Sequence, residues 1–236
     1  MSFHNNEPHA GDLAGRLNWL RAGVLGANDG IVSVAAIVVG VAGATSSVAP
    51  LITAGVAGLV GGAISMALGE YVSVSSQSDS QRALIEKERR ELAEMPDEEL
   101  AELAAIYESK GISAATARQV AEELTRHDAL SAHLEAELGI TERDVVSPWQ
   151  AAGASALAFT IGGVLPLAAI LLVPEPIRVL ATFIAVLSAL VVTGALSARV
   201  GGNSWVRPTL RIVIGGALAL ATTFLIGTLL GTIGVV

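Results

Sequence analysis

Apolar residues fall in five long runs, at 19–42, 49–72, 149–173, 177–198 and 209–235. Each is long enough, at about 1.5 Å per helical residue, to cross a hydrocarbon core of ~30 Å. The polar breaks between runs are short, Thr45-Ser46-Ser47 and Pro174-Glu175-Pro176 among them, except for one insert of about 75 residues after the second run. There the pattern turns amphipathic with helical period. No helix breaker occurs from Ser73 to Glu94, so the second run is expected to continue as one long helix. Met95-Pro96-Asp97 ends it, with Asp97 placed to cap a helix reaching about Ser109. Lys110-Gly111-Ile112 is a stop signal, and Ser113 caps a third helix that runs to Leu138 before Gly139. The predicted fold is an all-α membrane protein: five transmembrane helices, with a cytosolic three-helix acidic bundle inserted between helices two and three. Its parts are a cytosolic N-terminus (1–18), helices one and two (19–75), a cytosolic metal-binding helical domain (76–147) and helices three to five (148–236).

Composition agrees with this pattern. The chain is 52% hydrophobic and 15% charged, against about 25% charge in soluble domains. Between Asp79 and Asp144 lie 17 of the 22 acidic residues but 8 of the 14 basic ones. Outside the insert, Arg16, Arg21, Arg199, Arg207 and Arg211 fall on one side of five spans and Arg178 alone on the other. The excess of positive residues makes the crowded side cytosolic, with the C-terminus opposite. Trp19, Trp149 and Trp205 fall at the same span ends, where indole rings prefer to sit. No cleavable signal pattern precedes Arg16. A sequence pI near 5.0 with no basic stripe argues against nucleic acid. Zero cysteines removes disulfides and thiolate chemistry. No phosphate-binding Gly-Lys-Ser/Thr motif is present, which argues against ATP as the energy source.

Two groups of residues carry candidate chemistry. In the insert, Leu84, Glu88, Glu91 and Met95 share a helical face, and Glu99 and Glu102 share one with Leu103 and Ile106. A stripe of Val120, Leu124, His127, Leu134 and Leu138 on the third helix is flanked by Glu123, Glu135 and Glu137. The plain reading is a solvated acidic bundle. The sharper one is a cation site, because carboxylates that converge repel one another unless a cation neutralises them. A ferritin-like oxidase is not expected, since none of His4, His9, His127 and His133 has Glu three positions before it. Nothing else points to an enzyme. In the first span Asp29 sits near the bilayer midplane, where a charged side chain costs roughly 2.5–3.5 kcal/mol. It therefore faces protein or water. Gly58, Gly62, Met66 and Glu70 recur every four residues on the second span, so the glycines leave space into which Met66 and Glu70 project. A carboxylate–thioether ladder suits a borderline transition cation. The same glycine rows also serve as helix-packing contacts.

The stretches Gly26-Ala27-Asn28-Asp29-Gly30, Ser65-Met66-Ala67-Leu68-Gly69-Glu70-Tyr71 running into Ser76-Gln77-Ser78-Asp79, the acidic insert, and Phe159 to Pro166 resemble the vacuolar iron transporter family. The resemblance covers the chain from about Leu17 onward. It implies a homodimer of five-helix protomers in lipid, exchanging Fe2+, in some members Mn2+, for protons; Zn2+ is a further candidate, and no resident cofactor is implied. Asp29 and Met66 match residues on the transport path. Glu88, Glu91, Glu99 and Glu102 match the metal-binding domain, with Glu135 or Glu137 filling a late third-helix role and His133 standing where some members have Met. The short termini and Ala/Gly/Val-rich composition fit a bacterial member, which would lie in the cell inner membrane; a eukaryotic one would lie in the vacuolar membrane. The expected function is export of Fe2+ from the cytosol by proton antiport. Two rivals remain: a metal-gated channel or sensor regulated by the bundle, and a non-transporting membrane scaffold.

Overall fold

The computed structural model describes residues 10–141, 147–200 and 204–234, with side chains from Ala22 onward, Val200 excepted. Trp19, Arg16, Arg21 and the last two residues therefore lie outside the described side chains. Every described element is helical: α1 (Ala10–Ala44), α2 (Val48–Glu94), α3 (Pro96–Ser109), α4 (Ala114–His133) followed by a π-helical turn (Leu134–Leu138), α5 (Pro148–Leu172), α6 (Glu175–Val200) and α7 (Val206–Thr232). Five helices are long and apolar enough to cross a membrane: α1 over Ala22–Ala44, α2, α5, α6 and α7. The chain is a multi-pass membrane protein.

The chain divides into two compact units, one of Leu17–Tyr71 with Trp149–Val236, the other of Val72–Pro148 with residues up to Arg16. In the first, α1 is the central helix because it buries two faces. Val34 and Val38 pack with Leu51 of α2 and with Phe159 and Ile170 of α5. Ile31, Ala35 and Val39 pack with Val186 and Leu190 of α6 and Leu220 of α7. Helices α5, α6 and α7 leave rows of apolar side chains uncovered, Leu157, Leu180 and Leu218 among them, as lipid-facing surfaces do. Backbones approach closely where α1 crosses α5. A methyl group at Gly30 would collide with the Phe159 carbonyl, and one at Gly162 with the Ala27 carbonyl, so only glycine fits at either place. Pro166 lies buried within α5, which continues through it. At the end of the apolar part of α2, the ring of Tyr71 lies 4.7 Å from that of Trp149.

In the second unit α3 packs on α4 and on the π-helical turn. Three local features differ from expectation or refine it. Pro96 opens α3 at a position where its missing N–H costs nothing, and Asp97 sits in the first turn rather than capping it. Ser113 precedes α4, but its hydroxyl pairs with Thr116 Oγ1 at 3.0 Å instead of with backbone. The third change is larger. The expected straight helix to Leu138 is broken at Asp128, whose φ of −162° and ψ of 94° are extended rather than helical. The Asp128 carboxylate accepts the Ser131 N–H at 3.0 Å, restarting the helix. The chain then passes through the π-helical turn and stops at Gly139 in the left-handed conformation, φ 62°.

Candidate functional site

The apolar unit holds an open cavity of about 400 Å3 bordered by Asp29 and Ser33 of α1, Gly58, Gly62 and Met66 of α2, and Phe159 of α5. Its shape follows from the glycine row. A side chain at Gly62 would strike the Phe159 ring and one at Gly58 would strike Ile37. Adjacent residues on α1 are put to different uses. Asn28 turns to α6, its Oδ1 accepting the Thr193 hydroxyl at 2.5 Å. Asp29, 100° further round the helix, faces the cavity and accepts the Ser33 hydroxyl at 2.8 Å. The structure thus brings Asp29 and Met66 to one cavity. Glu70, a turn beyond Met66 and half-buried, is not among the residues that line it.

In the second unit Glu88 of α2, Glu99 of α3 and His133 at the end of α4 converge, all three buried. His133 Nδ1 lies 3.0 Å from Glu88 Oε1 and 3.5 Å from Glu99 Oε2. Yet neither imidazole nitrogen has a hydrogen-bond partner, and neither has Glu88 Oε1. Burying such groups unpaired costs ~1–3 kcal/mol each, so lone pairs that meet without a hydrogen bond have the arrangement of ligands around a cation.

Electrostatics point the same way. Burial first, then the charges of Glu137, Glu99 and Glu91, push Glu88 up to about 7 against a small opposing effect of Lys87. Glu99 is raised by burial and then by Glu102, Glu91 and Glu137. Burial lowers His133, with Glu137 and Glu102 opposing. A neutral imidazole keeps a lone pair free, so its 3.0 Å approach to Glu88 is not an ion pair at neutral pH. A divalent cation would relieve both carboxylates at once. Two carboxylates and one imidazole suit Fe2+, Mn2+ or Zn2+.

The remaining candidates lie around this group rather than in it. Glu91 is half-buried and paired to Lys87 at 2.6 Å. Glu102, Glu135 and Glu137 are exposed, though Glu102 and Glu137 act on the buried trio through their charge. His127, placed on the inward stripe by periodicity, is exposed as well. His133 was not among the ligands that periodicity picked out.

The pattern that defines the VIT family matches residues 20–228. The chain belongs to the VIT family. Among similar VIT-type proteins, one named vacuolar iron transporter from Acanthamoeba castellanii is 40% identical over 232 residues, covering 98% of this chain and 85% of its own length. Vacuolar iron transporter homolog 2 of Arabidopsis thaliana is 37% identical over 224 residues, 94% of this chain and 90% of its own. Vacuolar iron transporter homolog 1 of Oryza sativa is 38% identical over 221 residues, 93% of this chain and 77% of its own. The VIT match spans both the cavity and the Glu88–Glu99–His133 group.

Proposed function

We propose that this VIT-family chain is a transporter that exports Fe2+, with Mn2+ as a second candidate, from the cytosol in exchange for protons. The observation that carries the reading is the cavity among the apolar spans with Asp29 and Met66 on its wall. A carboxylate among apolar spans is costly unless it faces protein, water or a cation, and a thioether on the same wall favours a borderline metal over Mg2+. The names of the relatives above supply iron as the metal. In this reading residues 72–148 form a cytosolic domain, with the N-terminus cytosolic and the C-terminus opposite, as the distribution of arginines supports. Glu88, Glu99 and His133 hold metal there; Glu91, Glu102, Glu135 and Glu137 draw it in. Glu70 lies between the domain and the cavity in sequence and hands metal on. Asp29 exchanges metal for a proton. The protein works as a homodimer, which is supported by how little of α2 one chain covers: 11% of its most apolar window is buried. It is not an enzyme.

The deciding experiment is metal flux in proteoliposomes under an imposed pH gradient. Antiport predicts Fe2+ moving against its own gradient when protons run the other way. Flux that only dissipates the metal gradient would overturn it.

A gated channel is the second reading, favoured by the enclosed character of the Glu88–Glu99–His133 group, which resembles a resident sensor more than a capture surface. It predicts flux that is never uphill and that switches on with occupancy of that group.

A further inference from the structure

We propose that Asp128 is the positioning residue for His133: by breaking α4 and capping the segment that follows, its carboxylate turns the imidazole toward Glu88 and Glu99. The inference rests on the reading of those three residues as a metal centre, and it accounts for why a histidine missed by periodicity ends at the heart of it.

The inward face of α4 is defined before the break by Ala117 and Ala121, both buried. On an unbroken helix at ~100° per residue, that face would return at Asp128, Ala132 and Glu135. His133 would then point about 140° away from it. The structure has the opposite arrangement: His133 is fully buried, while Asp128 and Glu135 are exposed. The only departure from helical geometry between Ala121 and His133 is at Asp128, φ −162° and ψ 94°. One extended residue redirects and rotates everything after it. What holds that residue in place is local. The Asp128 Oδ1 accepts the Ser131 N–H at 3.0 Å, the N-cap to N3 contact that satisfies a donor freed by the break. Beyond His133, the π-helical turn and left-handed Gly139 end the segment, so its setting depends on the cap at its start. The ion-pair distances of Glu88 and Glu99 are to His133 and the carboxylate of Asp128 is bonded to Ser131, so the effect of Asp128 passes through His133.

The test uses the full-length chain in lipid nanodiscs with Mn2+ as probe. The EPR signal of free Mn2+ measures affinity, and pulsed EPR of bound Mn2+ detects directly ligated imidazole nitrogen. The wild type is expected to show nitrogen coupling and His133→Gln to lose it. Asp128→Ala removes the cap and lets the helix run straight; it should lose the coupling and weaken Mn2+ binding roughly tenfold, as His133→Gln does. Asp128→Asn keeps an acceptor oxygen without the charge and should keep both the coupling and an affinity within about twofold of wild type. A second readout needs no metal: modification of His133 by diethyl pyrocarbonate, located by mass spectrometry, should be slow in wild type and Asp128→Asn and fast in Asp128→Ala. Coupling retained in Asp128→Ala, or lost in Asp128→Asn, overturns the proposal. Absence of coupling in the wild type sinks the metal-centre reading instead, and the reactivity of His133 then decides the positioning role by itself.

Discussion

His133 Nδ1 and Glu88 Oε1 lie 3.0 Å apart in the interior of the helical unit, out of contact with water, without the geometry of a hydrogen bond. Glu99 completes the group from a third direction at 3.5 Å. Polar groups buried this way need a partner of their own, and a divalent cation fits the three donors together. The same requirement ranks the carboxylates by importance.

Glu88→Gln and Glu99→Gln should each weaken Mn2+ or Co2+ binding by roughly 10- to 100-fold, because each removes a ligand or an oriented neighbour of one. Glu135→Gln, at an exposed position, should change it by less than about threefold. Equilibrium dialysis of the detergent-solubilised chain measures all three. Equal losses at the exposed and buried positions would mean a diffuse acidic surface.

Proton competition should be visible near neutrality. Burial and the neighbouring carboxylates push Glu88 up from the usual carboxylate range to about 7, so metal must displace its proton below that pH. Apparent affinity should rise ~tenfold per pH unit up to about 7 and flatten above, with Glu99 steepening the lower part. The linked effect on stability has a definite sign. A carboxyl with a raised folded pKa stabilises fully below about 4.5, and that contribution is lost as pH rises through about 7. His133, lowered, acts in the opposite sense below 6.5. Metal-free protein should therefore become easier to cleave within residues 72–148 between pH 6 and 7.5, and added metal should cancel the change. Limited proteolysis across that range reads it.

Asp29→Asn should abolish uphill Fe2+ flux while leaving expression and assembly near normal, since the amide keeps the shape of the side chain. Ser33→Ala, which removes the hydroxyl held by Asp29 at 2.8 Å, should only slow it. Initial rates in proteoliposomes under a fixed pH gradient separate the two, and normal flux by the Asn variant would remove Asp29 from the path.

Met66→Leu, close in volume and unable to ligate, should lower the Fe2+ over Mg2+ preference by a few-fold, roughly the share a soft ligand supplies. Competition of Mg2+ against Fe2+ uptake measures it. An unchanged ratio would make Met66 a packing residue beside the cavity.

Gly30→Ala and Gly162→Ala should lower thermal stability by the equivalent of ~1–3 kcal/mol, because each new methyl group meets a backbone carbonyl of the facing helix. Gly69→Ala, with open space at the same position on its residue, should be neutral. Thermal aggregation of the solubilised variants reports the difference.

The five spans, the continuation of α2 to Glu94, and the stops at Lys110-Gly111 and Gly139 are all legible in the sequence, because each depends on neighbours a few residues apart: apolar runs, missing breakers, glycine where φ is positive. Periodicity also puts Gly58, Gly62 and Met66 on one row of α2, but it is the packing of α2 beside α1 that sets this row and Asp29 on one cavity. Which acids of the insert converge is decided elsewhere. Periodicity gives Glu88 and Glu91 one face and Glu99 and Glu102 another, with no means of choosing within either pair. Packing of three helices buries Glu88 and Glu99 and leaves Glu91 to Lys87 and Glu102 to water. His133 depends on more than packing. A constant 100° step places it on the outer face, and one extended residue at Asp128 overrides that step. Such a break is a balance between a local side-chain cap and the tertiary contacts of the segment beyond it, and only the folded unit contains both.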